Sequence, residues 1–112
     1  MTSGMPKDAP DDSDRRQFDR RKFMGTLEIE WGSSMLVGVV RDIGPHGLFV
    51  LMTQPLWIGA SFSARLMLNP PLPLNCTVRR VEPGAGIGVT FDLTDEHTKT
   101  QLQELFDKLP NL

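Results

Sequence analysis

The sequence predicts an all-β fold, a six-stranded antiparallel β-barrel followed by one C-terminal α-helix. Between Gly25 and Phe91 apolar and polar residues mostly alternate with a period of two, which is typical of half-buried strands. Nine prolines and ten glycines are scattered along the 112 residues, which favours short strands joined by turns. After Phe91 the apolar residues recur with the period of a helix.

The predicted strands follow one another at short intervals. In the first, over residues 25–31, Leu27, Ile29 and Trp31 alternate with two glutamates. The other five strands are predicted at residues 35–42, 48–52, 61–68, 74–79 and 87–91. Because an open sheet of six short strands leaves two edges exposed, we expect the sheet to close into a small barrel.

A single helix is predicted after the last strand. Its apolar stripe consists of residues spaced i, i+3, i+4 and i+7, namely Leu102, Leu105, Phe106 and Leu109. Thr94 is the expected N-cap, and Pro110 follows the expected end. We expect the apolar stripe to cover one opening of the barrel.

The chain is predicted to have three parts. Residues 1–14 are polar and contain two prolines, and we expect them to be disordered because they bury too little apolar surface to offset their ordering entropy. Residues 15–24 form an arginine-bearing linker, and residues 25–112 form the barrel and the helix.

Composition excludes several classes of protein. The formal net charge of −2 argues against a general polyanion binder. A lone cysteine, Cys76, rules out an intramolecular disulfide and favours a reducing compartment, and no apolar run approaches the roughly 20 residues that span a bilayer. We therefore expect a cytoplasmic protein without membrane insertion. His46, His97 and Cys76 lack metal-ligand spacing, and no catalytic set is present, so neither a metal, a cofactor nor an enzyme activity is expected.

Basic residues follow the acidic tail abruptly, and the cluster contains Arg15, Arg16, Arg20, Arg21 and Lys22. Arg16 and Arg20 lie four apart, so they share a face in either a helix or an extended segment. Guanidinium groups match both phosphate and the edge of guanine bidentately. By itself, such a charge run more often indicates a solvated basic linker.

A second segment, Asp42 to Gly47, ends a predicted strand. A carboxylate at Asp42 has the chemistry to accept hydrogen bonds from guanine N1–H and N2–H. Gly47 permits a positive φ or the close approach of a ligand to the backbone. The alternative interpretation is an ordinary hairpin turn with a capping aspartate.

Together the two segments resemble the signature of the PilZ domain family, R-x-x-x-R followed by D/N-x-S-x-x-G at a strand end. The matching segments are Arg16–Arg20 and Asp42–Gly47, and the late G-I-G-V-x-F strand at Gly86–Phe91 is also typical of that family. The resemblance extends from Arg15 to Leu109 and implies a bacterial, PilZ-like six-stranded barrel.

The resemblance also implies a ligand, the second messenger cyclic di-GMP, over which the arginine segment wraps. Arg16 and Arg20 are then expected to hold guanine edges and phosphates, Asp42 to read a guanine, and Gly47 to let the backbone approach. Arg15 resembles the corresponding residue of members that bind an intercalated pair of ligands, so either one cyclic di-GMP or such a pair is expected.

This sequence departs from the family pattern at Gly44, which replaces the motif serine. The lost hydroxyl corresponds to roughly 1.5–3 kcal/mol, or about 10- to 100-fold in affinity. The backbone N–H of Gly44 is expected to remain as a donor, and a water could fill the gap. Weaker binding is therefore expected.

Three functional hypotheses follow. The first is a cyclic di-GMP receptor or adaptor that changes conformation on binding and signals to a partner protein. The second is a PilZ-like interaction module with weak or lost ligand binding, which Gly44 favours. The third, opposed by the net charge, is a small barrel that binds nucleic acid through its basic segment.

Overall fold

A computed structural model of the chain describes residues 20–53 and 56–110. These residues form six strands and one helix in the order β1 (Arg21–Trp31), β2 (Ser34–Ile43), β3 (Gly47–Leu51), β4 (Ser61–Leu66), β5 (Leu72–Glu82), β6 (Gly86–Phe91) and α1 (Glu96–Lys108). The tail predicted over residues 1–14 lies outside the described residues.

The six strands form a closed barrel in the order β1-β2-β3-β6-β5-β4. Every neighbouring pair is antiparallel, and pairing of β4 with β1 closes the ring. Closure pairs the backbone N–H and C=O groups that an open sheet leaves unpaired at its two edges. This is the physical reason for expecting a barrel from six short strands. The predicted six-stranded antiparallel barrel with a C-terminal helix is confirmed.

Inward-facing side chains fill the barrel. Along β4 buried and exposed residues alternate strictly, and on β1 Leu27 and Ile29 have no exposed surface. Burying each such side chain contributes about 1.5–3 kcal/mol. The core also holds Cys76, and burial raises the pKa of its thiol to about 12.

β1 and β5 extend furthest beyond the strands that the alternation predicts. β1 begins at Arg21, within the segment expected to be a linker, because Arg21 and Lys22 pair with the last two residues of β2. The register shifts between Lys22 and Gly25, so the period of two is interrupted there and does not mark the strand. β5 extends from Leu72 to Glu82 and contains a similar shift.

A bulge in β2 changes the face on which its last residues lie. Asp42 pairs with Phe49, whereas Val40 pairs with the residue after Phe49, so Arg41 is the extra residue. Val40 and Ile43 consequently both lie in the core, although three positions separate them. The bulge thereby places Asp42 beside Phe49 on the outer face, where strict alternation from Val40 assigns it to the inner one.

β5 contains the equivalent bulge on the other side of the β3–β6 pair. Val78 pairs with Val89 and Arg80 pairs with Gly88, so Arg79 is the extra residue. Both consecutive arginines are therefore exposed.

The helix begins one residue later than predicted. Asp95, rather than Thr94, is the N-cap, and its Oδ2 accepts hydrogen bonds from the N–H and hydroxyl of Thr98 at 3.0 and 2.8 Å. These bonds lower the pKa of Asp95. Leu102 and Phe106, two residues of the apolar stripe, are buried against the barrel core. No helix in the described part of the chain is long and apolar enough to cross a membrane.

Candidate ligand-binding site

Arg20 lies immediately before β1 and reaches the end of β2. Its Nε and Nη2 donate hydrogen bonds to Oδ1 of Asp42 at 2.9 and 2.6 Å. The Asp42 side chain is 9% exposed and that of Arg20 is 28% exposed, so water screens the pair only in part. The structure thus brings together one residue from each of the two sequence motifs.

The second oxygen of the Asp42 carboxylate is also engaged. Nε of Arg41 donates to Oδ2 at 2.7 Å. Burial by itself raises the pKa of Asp42, but the hydrogen bonds from Arg41 and Arg20 and their positive charges outweigh it, so the pKa lies below its usual value. Asp42 is therefore an ionised acceptor at neutral pH, and a ligand that uses it has to share or displace an arginine.

Gly44 lies in the connection between β2 and β3, directly beside Arg20. A Cβ at position 44 would lie 2.7 Å from Nη1 of Arg20 and 3.3 Å from its Cδ. The missing side chain therefore leaves room for the Arg20–Asp42 pair. The N–H of Gly44 donates to the carbonyl of Gly47 at 2.8 Å, so a ligand that uses this donor has to share it with that carbonyl or displace it.

Gly47 begins β3 and is packed against another strand. A Cβ there would overlap the backbone carbonyl oxygen of Val89. Gly47 is not among the described glycines with positive φ. A glycine is therefore required at position 47 by the close approach of β6 rather than by a left-handed backbone conformation. Its expected role beside a ligand stays a prediction.

Arg15 and Arg16, the other two predicted ligand-binding residues, lie outside the described residues. Their proposed contacts with guanine and phosphate stay predictions.

Beside the Arg20–Asp42 pair lies an open cavity of about 500 Å³ on the outer wall of the barrel. It is lined by Arg20, Arg41, Asp42, Leu48, Phe49, Arg79, Arg80, Gly88, Val89 and Thr90. Four guanidinium groups from two bulges and the segment before β1 thus surround one surface. Such a surface suits an anion with planar groups, since guanidinium both pairs with phosphate and stacks on rings.

Sequence reasoning did not assign Arg41, Arg79, Arg80 or Phe49 to the site. One signal was available, because two consecutive arginines interrupt the alternation of the fifth strand and so indicate a bulge. Nothing local in the sequence indicates that Phe49 faces outward beside them.

The remaining candidates contribute no metal-ligand cluster. His46 is exposed in the β2–β3 connection, where its carbonyl accepts from the N–H of Phe91 at 2.8 Å. In residues 20–53 and 56–110, no three His, Cys, Asp or Glu side chains converge in a way that could hold a metal ion.

The geometry defines a small barrel with an arginine-rich outer pocket, and comparison with known families agrees with the resemblance. The model of the PilZ domain family matches residues 14–108, and this chain belongs to that family. Domains of this family are binding and adaptor modules related to cyclic di-GMP. No curated protein matches the chain.

Solved structures show the same fold. The PilZ domain of CeSA from a cellulose-synthesizing bacterium has a TM-score of 0.63 at 19% identity, covering 79% of this chain and 94% of that one. A Bacillus subtilis inhibitor of motility has a TM-score of 0.68 at 14% identity and covers 84% of this chain. The match spans about half the length of that inhibitor, 50%.

Proposed function

We propose that this protein is a receptor for cyclic di-GMP that passes ligand binding on to a partner protein. The observation that carries the proposal is the contact between Arg20 and Asp42, at 2.6 Å, beside a cavity with three further arginines. Cyclic di-GMP presents two phosphodiesters and two guanines. Guanidinium groups match the phosphates and the guanine O6/N7 edge, and a carboxylate matches the guanine N–H donors.

In the proposed binding step the ligand divides the Arg20–Asp42 pair. Guanine N1–H and N2–H donate to Asp42, while Arg20 turns towards the O6/N7 edge or a phosphate. One set of charge-assisted hydrogen bonds replaces another, and ligand concentration selects between the two arrangements.

Arg21 connects this step to the helix. It is the residue after Arg20, and its Nη1 donates to the carbonyl of Leu109, the C-cap of α1, at 2.7 Å. Its guanidinium also lies 4.2 Å from the ring centroid of Phe106. We propose that a movement of Arg20 is passed through the neighbouring Arg21 to the end of α1, and that a partner protein reads the rearranged surface.

The segment before β1 completes the proposed site. Arg16 is proposed to join Arg20 at guanine or phosphate, and Arg15 to contact a second ligand if an intercalated pair binds. The protein is proposed to act by binding alone, without enzyme activity and without a cofactor.

Isothermal titration calorimetry with cyclic di-GMP tests the proposal and gives the stoichiometry. The wild type is expected to bind, whereas Arg20→Ala and Arg16→Ala each lose about 10-fold or more in affinity. Arg65→Ala is the matched control, because Arg65 pairs with Glu28 at 2.7 Å on β4 and β1 and does not line the cavity. Equal heats for the wild type and Arg20→Ala would refute this site.

A second candidate is an interaction module with weak or lost ligand binding. Gly44 favours it, and so do apolar residues exposed in succession on the outer face of β2, namely Met35, Val37 and Val39. Such a patch is typical of a surface that contacts another protein. An NMR titration that leaves every amide shift unchanged at millimolar cyclic di-GMP would select this candidate over the first.

A further inference from the structure

A row of directly paired residues crosses the outer wall of the barrel. Asp42 on β2 pairs with Phe49 on β3, Phe49 with Gly88 on β6, and Gly88 with Arg80 on β5. Directly paired residues project their side chains from the same face of a sheet. The surface that begins at the motif aspartate therefore continues without interruption to Arg80.

The middle of this row has an aromatic floor. Phe49 lies outside the core cluster of the barrel. It is nevertheless only 1% exposed, because two guanidinium groups cover it. Those of Arg41 and Arg80 lie 4.0 and 5.4 Å from its ring centroid. Gly88, which pairs with Phe49, contributes no side chain to this floor.

Glu82 lies between the two arginines. Its Oε2 is 3.0 Å from Nη2 of Arg80, and its Oε1 is 4.0 Å from Nη1 of Arg41. Positive and negative groups consequently alternate along the outer wall in the order Arg20, Asp42, Arg41, Glu82 and Arg80.

The charges of this wall complement a dianion. Four arginines line the cavity, and among residues 20–53 and 56–110 the carboxylates paired with them are Asp42 and Glu82, so within this part of the chain the arginines exceed the carboxylates by two. A cyclic dinucleotide carries one negative charge on each of its two phosphodiesters. The Glu82 pairs are exposed, with side-chain exposures of 44% for Arg41, 61% for Arg80 and 41% for Glu82, so little free energy opposes their separation.

We infer that the ligand site extends onto β5, where Arg41 and Arg80 hold a phosphodiester above Phe49 and Glu82 competes with it for the same two guanidinium groups. This inference rests on the proposed function. A carboxylate and a phosphate both bind guanidinium through paired oxygens, so Glu82 occupies the position that the phosphodiester takes. Ligand binding then releases Glu82 to solvent.

Two substitutions with opposite expected effects test the inference by calorimetry with cyclic di-GMP. Glu82→Gln removes the competing charge and is expected to tighten binding by about 5-fold. Arg80→Ala removes a phosphate contact and is expected to weaken binding by about 10-fold. Arg65→Ala removes an arginine of similar exposure from a similar ion pair elsewhere on the barrel, and its affinity is expected to stay within about 2-fold of wild type.

The opposite signs separate the inference from misfolding, because a damaged barrel does not bind more tightly. If Arg20→Ala loses binding but Glu82→Gln and Arg80→Ala both behave like Arg65→Ala, the extension onto β5 is overturned while the proposed function stands. If neither the wild type nor Glu82→Gln binds, the proposed function and the inference both fall.

Discussion

Nη1 of Arg20 lies 2.7 Å from the position that a Cβ would occupy at residue 44. The replacement of the motif serine by Gly44 and the position of the motif arginine, Arg20, are therefore linked. A side chain at position 44 and the present position of Arg20 compete for the same space, and this competition links the sequence of the second motif to the conformation of the first.

Restoring the serine is expected to favour ligand binding. In Gly44→Ser the new Cβ displaces the end of the flexible Arg20 side chain from Asp42, and the hydroxyl supplies a contact to phosphate. The affinity for cyclic di-GMP is expected to rise by about 10-fold in calorimetry. Gly44→Ala, which displaces Arg20 without adding a hydroxyl, separates the two effects. An unchanged affinity in Gly44→Ser would show that neither effect matters here.

The ion pairs of Asp42 make stability depend on pH in the acid range. The pKa of Asp42 in the folded protein lies below the ordinary value of 3.8, so its stabilising contribution is present above that value and is lost as pH falls through the lowered pKa. Urea unfolding is expected to show Asp42→Asn about 2 kcal/mol less stable than wild type at pH 7. This difference should shrink below pH 3.8. A difference that stays constant to low pH would contradict the pairing with Arg20 and Arg41.

Gly47 is expected to be required for stability even without ligand. In Gly47→Ala the methyl group meets the backbone carbonyl of Val89, which cannot rotate away, so β3 and β6 have to separate. The expected loss is about 1–3 kcal/mol in urea unfolding. Gly88→Ala is the matched control on the opposite strand, since its nearest neighbours lie 3.6 Å away. Equal stabilities of the two variants would disprove this packing argument.

Arg21 is expected to hold the end of α1 rather than to bind ligand. Its replacement by alanine removes the hydrogen bond to Leu109 and the contact with the Phe106 ring, at an expected cost of about 1–3 kcal/mol. Hydrogen exchange should accelerate in the last turns of α1. Lys108→Ala removes a positive charge from the same helix end and should change stability by only a few tenths of a kcal/mol. Similar exchange in both variants would refute the specific role of Arg21.

The Cys76 thiol is expected to be unreactive in the folded protein. Its pKa of about 12 leaves almost no thiolate at neutral pH, and its side chain lies in the core. A disulfide reagent should label it only after urea unfolding, whereas Ser63→Cys, on the outer face of β4, should react at once. Rapid labelling of native wild type would show that the barrel opens far more readily than its packing indicates.

Much of the fold could be predicted because strands and helices produce distinct local periodicities of apolar residues in the sequence. The alternation of Leu27, Ile29 and Trp31 depends only on the two faces of a strand, and the stripe through Leu102 and Phe106 depends only on the turn of a helix. Strand ends were less predictable, since β1 gains its first residues by pairing with β2 across a bulge. The predicted N-cap was wrong by one position because threonine and aspartate, which are adjacent here, are both good N-caps.

The candidate site was predictable only where a motif marks it. Arg20 and Asp42 stand out from the spacing of the two motifs, but Arg41, Arg80 and Glu82 read as ordinary exposed charges on their strands. The structure unites them because β2 and β5 flank the β3–β6 pair and each carries a bulge, at Arg41 in β2 and at Arg79, next to Arg80, in β5.

The sequence by itself determined the six strands, the helix, the family and the two motif residues that meet, because these depend on short-range spacing and residue type. Only the tertiary structure decided that Asp42 faces outward, that Phe49 forms a floor and that Glu82 lies between Arg41 and Arg80. The physical reason is that the bulges of β2 and β5, and the register between strands distant in sequence, are set by strand pairing around the barrel. A shift of one residue in that register moves a side chain to the opposite face of the sheet.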